Sequence, residues 1–174
     1  MSAFSQDAVA RLDYVLSDVL TLPDKTGKMI KIWTPAFHCD DAQDFMDRFV
    51  DFHEEVMAKE PIDILAIPTF LPEVLEPDYD KLWIEKRMRK IIDAAARYHV
   101  AIEINSRDRL PQPRVPGDGQ GVRRRFSFGS NAPRGRCDRG HRLRHRYRKL
   151  GLKPDRFFTP GPAGRKPIQV RTLA

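Results

Sequence analysis

Glu103, Asn105, Ser106 and Arg107 crowd the end of one short alternating stretch, Val100-Ala101-Ile102-Glu103-Ile104-Asn105-Ser106-Arg107. Arginine can hold a phosphate or carboxylate through a bidentate fork. An amide and a hydroxyl beside it can orient that group, and a carboxyl whose pKa is raised by burial can act as a general base. Ser130 and Asn131 close a second stretch of the same kind, Arg125-Phe126-Ser127-Phe128-Gly129-Ser130-Asn131. The chemistry is therefore assigned to Glu103 and Arg107 as catalytic residues. Asn105, Ser130 and Asn131 are assigned to substrate binding, with His38 and Asp18 entering from loops. The plain alternative for each is a structural role at a strand end.

These residues need elements to position them. In the first stretch Val100, Ile102 and Ile104 alternate with Ala101, Glu103 and Asn105, the period of a strand. A long helical pattern precedes it: Leu82, Trp83, Met88, Ile91, Ile92 and Ala95 line one face, Glu85, Lys86, Arg89 and Lys90 the other, and Asp78 stands at its start as a cap. Helix followed by strand is the unit of a parallel α/β sheet. Ligands bind such sheets beyond the carboxyl ends of the strands. Further upstream, the apolar run Ile62-Asp63-Ile64-Leu65-Ala66-Ile67-Pro68 reads as a buried parallel strand, followed by a loop over residues 69–77 on the functional side.

The spacing of Phe45, Phe49, Phe52 and Val56 predicts another helix, opened by Asp40-Asp41 and closed by Glu60-Pro61. His53 falls on its apolar side, where a packed histidine is the expectation. His99 is read as an end-of-helix residue. In residues 12–22, Tyr14, Val15, Leu16 and Val19 suit a buried strand, which Pro23-Asp24 and Gly27 end. Met29-Ile30-Lys31-Ile32-Trp33 is a shorter extended run, and residues 35–39 are read as loop.

The 174 residues suit one domain with a sizeable core. No apolar run reaches the ~18 residues that span a bilayer. The N-terminus lacks a signal-peptide layout, and Cys39 and Cys137 are unmotivated as a pair, so a reduced, cytoplasmic protein is expected. The net charge of +7 conceals two regimes. Residues 1–110 hold 14 Lys/Arg and 21 Asp/Glu, or −7, and residues 111–174 hold 17 and 3, or +14. The first part is well patterned. The second is basic and rich in Pro, Gly and Arg.

Four segments together resemble the PHP (polymerase and histidinol phosphatase) domain family. They are Asp13-Tyr14-Val15-Leu16-Ser17-Asp18-Val19, the run 62–68, Val100 through Ser106, and Phe128-Gly129-Ser130-Asn131-Ala132. They are similar, in order, to the last four strands of that family's distorted α/β barrel. The resemblance implies a parallel-stranded partial (βα) barrel of PHP/TIM-like type with an irregular basic C-terminal third. It also implies divalent metals as cofactors and phosphoester hydrolysis. The ligands depart from the pattern. The family's His-x-His opening is absent, Leu20 and Ile67 stand where histidines are typical, and Gly-Ser-Asp-x-His becomes Gly129-Ser130-Asn131-Ala132-Pro133. Such side chains cannot build a multinuclear centre, so no metal ligand is assigned. A truncated member with impaired catalysis is one expectation. A non-catalytic module for an anionic small molecule is another.

The basic part admits two explanations. Arg123-Arg124-Arg125 and residues 134–149 read as a nucleic-acid arm, with Phe126, Phe128 and Tyr147 available for stacking. Alternatively, residues 114–149 are partly out of their ancestral frame. Val115-Pro116-Gly117-Asp118-Gly119-Gln120 can be written GTT CCT GGA GAT GGC CAG, and dropping the first base yields Phe-Leu-Glu-Met-Ala, the start of an amphipathic helix where a crossover is needed. Either way, helices that should cover the sheet are poor in apolar surface. This predicts marginal stability, self-association or local disorder over residues 111–149, and the strand edges of a half barrel would be exposed for self-association.

Overall fold

The computed structural model describes residues 6–105, 125–129 and 154–160. A short helix α1 (Gln6–Ala10) leads to β1 (Leu16–Ser17) and a hairpin of β2 (Thr21–Pro23) and β3 (Met29–Lys31). Helix α2 (Ala42–Lys59), β4 (Ile64–Leu65), a 3-10 turn (Glu73–Asp78), α3 (Tyr79–Leu82), α4 (Glu85–Arg97), β5 (Ala101–Asn105) and β6 (Phe126–Gly129) follow. A second 3-10 turn covers Pro154–Arg156.

Strands β1-β4-β5-β6 form a four-stranded sheet in that spatial order, and each adjacent pair is parallel. Ile64 pairs with Ala101, and Ile102 with Phe126. This is the mixed α/β architecture expected, with a parallel sheet fed by helical crossovers. Because side chains alternate along a strand, the register sorts the sheet into two faces. Leu65, Ile102, Ile104 and Phe126 belong to the buried cluster that includes Phe45, Phe49, Ile91 and Ile92 of the helices. Leu16, Ile64, Ala101, Glu103 and Asn105 point the other way.

Beyond β6 the backbone continues the sheet. Phe157 bridges Phe126 in parallel, the Phe158 N–H donates to the Phe126 carbonyl at 2.7 Å, and the Phe157 and Phe128 rings stack at 4.7 Å. The Phe158 ring then meets Tyr14, just before β1, edge-on at 5.8 Å. The residue two before β1 and the residue after the Phe157 bridge thus touch.

The strand read over residues 12–22 is divided. Only Leu16–Ser17 joins the main sheet, while Thr21–Pro23 turns back against β3. Val15 and Val19 are buried as expected, but Tyr14 and Leu16 are exposed. The turn between β2 and β3 rests on Asp24, whose Oδ1 accepts from the Thr26 N–H, the Thr26 hydroxyl and the Lys28 N–H, and on Gly27 at φ 85°. Asp41 caps α2 by accepting from the Gln43 and Asp44 N–H groups, which removes two of the unpaired donors of its first turn.

The single long helix expected from Asp78 is broken in two. Asp78 makes no side-chain cap, and Trp83 leaves helical geometry at φ −85°, ψ 63°. Trp83 is buried there. The Leu82 carbonyl freed by the break accepts from Arg87 Nη1 at 2.9 Å. The same guanidinium donates to the Gln43 carbonyl and pairs with Asp47, fastening α4 to α2. Helix α4 ends as expected at His99, whose φ of 59° is the left-handed stop of a helix terminus. The expectations for residues 111–124 and 130–149, including the altered frame, lie outside the described residues.

Candidate functional site

The end of β4, the middle of β5 and the end of β6 meet at Glu103. Strand β5 is buried along its whole length, and Glu103 is 4 % exposed, an unusual setting for a carboxylate. Its Oε2 accepts from the Ile67 N–H at 2.9 Å and from Asn105 Nδ2 at 3.2 Å. On the β6 side Glu103 lies against Gly129, where an added Cβ would overlap the carboxylate. One side chain therefore ties the end of β4 to β5 and leans on the bare backbone of β6.

The donor from β4 is itself unusual. Ile67 has φ 39°, a conformation that a β-branched residue rarely adopts. It places the N–H of the residue after Leu65-Ala66 toward Glu103. Such local strain persists where surrounding contacts hold it, and here the Glu103 carboxylate is the contact. At the other end of the same strand Asp63, also buried, accepts from the Val15 N–H at 2.9 Å through Oδ2. Both carboxylates act as braces between neighbouring strands.

Glu103 and Asn105 are brought together as the sequence suggested. Arg107, Ser130 and Asn131 lie outside the described residues. His38 and Asp18 are exposed. His38 Nε2 lies 3.1 Å from Asp40 Oδ1, and Asp18 Oδ1 accepts from the Leu20 N–H at 3.2 Å. Both are engaged by their immediate sequence neighbours, whereas Glu103 and Asn105 are buried.

No family model matches this chain, and no curated protein or solved structure matches it. The arrangement at Glu103 must therefore be read on its own chemistry. Among the described residues, no three His, Cys, Asp or Glu side chains converge as a metal would require. Leu20 and Ile67 offer no donor atoms in their side chains. The described residues thus do not fit the multinuclear centre that the resemblance implies. Burial pushes the Cys39 thiol up, away from its reactive thiolate form.

Two residues were undervalued in the sequence. Gly129 carried a usable signal, since glycine inside a strand marks a close approach by a neighbour. Ile67 carried none, because nothing in an apolar run announces a left-handed residue. The segment after β3 and the segment after β4 frame an open cleft of about 300 Å3, lined by Thr34, Pro35, Phe37, Pro72, Glu73 and Val74. The sequence marked both segments as loops without joining them.

Proposed function

We propose that the chain is a PHP-like domain, curved as part of a (βα) barrel, that holds a small anionic molecule at the carboxyl rim of its sheet without metal-dependent hydrolysis. The observation that carries this reading is the engagement of Glu103. Its Oε2 is committed to the Ile67 N–H and to Asn105, and its body is wedged against Gly129. A carboxylate fixed in this way maintains the shape of the rim. It is poorly placed to swing between proton donor and acceptor.

Curvature toward a barrel is supported by the Tyr14–Phe158 contact, which joins the two ends of the sheet. Anion binding is supported by Arg107, which follows Asn105 closely in the sequence and can form a bidentate fork. The rim location agrees with the general rule for ligands of parallel sheets.

The test combines binding with turnover. Inorganic phosphate should raise the melting temperature of the wild-type chain, and Arg107→Ala should abolish that rise. With Mn2+ or Zn2+ added, hydrolysis of p-nitrophenyl phosphate should remain at the protein-free rate. Metal-dependent turnover that disappears in Glu103→Gln would restore the hydrolase reading. The absence of any phosphate-induced shift would remove the anion site.

A further inference from the structure

The β2–β3 hairpin stands outside the main sheet and has two outer edges. Within it the Asp24 N–H donates to the Lys28 carbonyl and the Ile32 N–H to the Leu20 carbonyl. Leu22 lies opposite Ile30 between them. The even-numbered residues therefore bond across the hairpin, and the backbone groups of Thr21, Pro23, Met29 and Lys31 turn outward.

The two edges differ. On β2, Pro23 has no N–H, and its carbonyl accepts from Arg48 Nη1 at 3.3 Å, so that edge is blunted. On β3, the Lys31 carbonyl accepts from the Thr34 hydroxyl at 3.0 Å. The Met29 N–H, the Met29 carbonyl and the Lys31 N–H have no partner among the described residues. One edge is closed and the other is open.

The side chains along the open edge are exposed and basic. Met29 and Trp33 are each 54 % exposed, and Lys31 Nζ lies 5.8 Å from the Trp33 ring centroid. Residues 20–37 carry Lys25, Lys28 and Lys31 against Asp24 alone, within a part of the chain whose net charge is −7. Asp24 is engaged by its own turn, and Lys25 pairs with Asp44 at 3.1 Å. Among the described residues Lys28 and Lys31 form no ion pair.

We propose that β3 takes an extended acidic peptide as an added strand. Run antiparallel, one peptide residue closes both Met29 bonds, and the residue two before it accepts from the Lys31 N–H. An apolar side chain then lies beside Met29 and a carboxylate beside Lys31, as cross-strand pairs favour. A nucleic acid would use the lysines and Trp33 but leave the open backbone groups unmet.

The probe is acetyl-Val-Thr-Glu-Thr-Val-Glu-amide, whose second valine falls opposite Met29 and whose first glutamate falls opposite Lys31. Fluorescence of Trp33 reports binding, with Trp83 buried as a constant background. The peptide should bind with a dissociation constant of about 1 mM, as suits a short flexible ligand. It should slow hydrogen exchange at the Met29 and Lys31 amides. The double variant Lys28→Gln with Lys31→Gln should weaken binding about tenfold, within the range for two exposed charge pairs. N-methylation of the second valine removes its donor to the Met29 carbonyl without altering the chain, and should abolish binding. Equal binding of the methylated peptide, equal binding of a peptide with glutamine for glutamate, unchanged exchange at Met29, or tighter binding of oligo(dT) than of the peptide would each overturn the assignment. None of these outcomes bears on phosphate binding at the rim.

Discussion

The Ile67 N–H donates to Glu103 Oε2 at 2.9 Å, joining the end of one strand to the middle of the next. Substituting Glu103 acts on this bond directly. Glu103→Gln keeps the shape but loses the charge, and should cost about 1–2 kcal/mol; Glu103→Ala leaves the N–H without its acceptor and should cost about 2–3 kcal/mol. Urea denaturation of the two variants beside the wild type measures both.

Gly129 should not tolerate a side chain. In Gly129→Ala the new methyl group would overlap the Glu103 carboxylate, which must then leave the Ile67 N–H. The expected loss is about 1–3 kcal/mol, the usual range for overpacking. The double variant with Glu103→Ala should be less destabilised than the sum of the two single ones, because the obstructing group is gone. Strict additivity in the cycle would show that the two residues do not interact.

His53 makes stability depend on pH. It is buried on α2, its Nδ1 is 2.7 Å from the Phe49 carbonyl, and the rings of Phe49 and His53 meet edge-on at 4.4 Å. Burial pushes its pKa down to about 4, with the Phe49 bond opposing the shift. The folded chain therefore keeps the ring neutral where the unfolded chain protonates it. Stability from this group is complete above about pH 6.5, falls as pH drops, and levels off below about pH 4, for a total on the order of 3 kcal/mol. His53→Leu should flatten this part of the profile in urea titrations between pH 7.5 and pH 4.5 (roughly the window set by the two pKa values).

The Arg87–Asp47 pair is asymmetric. Arg87 is buried and also serves the Leu82 and Gln43 carbonyls, whereas the Asp47 side chain is 70 % exposed. Arg87→Ala strands two acceptors and opens the α2–α4 seam, and should cost about 2–4 kcal/mol. Asp47→Ala removes an exposed partner and should cost about 1 kcal/mol or less. Thermal melts of the two variants distinguish these values.

The helices and the parallel order of the sheet were legible because their signals are periodic. Phe45, Phe49 and Met57 recur at helical spacing, and Ile102 and Ile104 alternate with Glu103 and Asn105. Helix α4 began later than its pattern implied because Trp83 prefers burial to helical geometry, and an aromatic anchor leaves no trace in periodicity. Leu16 and Tyr14 misled for a related reason: apolar identity predicts burial only where something covers the residue. Within the site, the pairing of Glu103 with Asn105 followed from strand alternation. The brace to Ile67 did not, because a backbone N–H in a left-handed turn has no residue type to announce it.

Hydrogen exchange at the Ile67 amide tests the central claim most directly. Where Glu103 holds the rim together, that amide exchanges slowly in the wild type and at least about tenfold faster in Glu103→Ala, while the Ile102 and Ile104 amides change far less. Equal exchange at Ile67 in the two proteins would show that Glu103 does not brace the strand ends, and the account of this rim would fail.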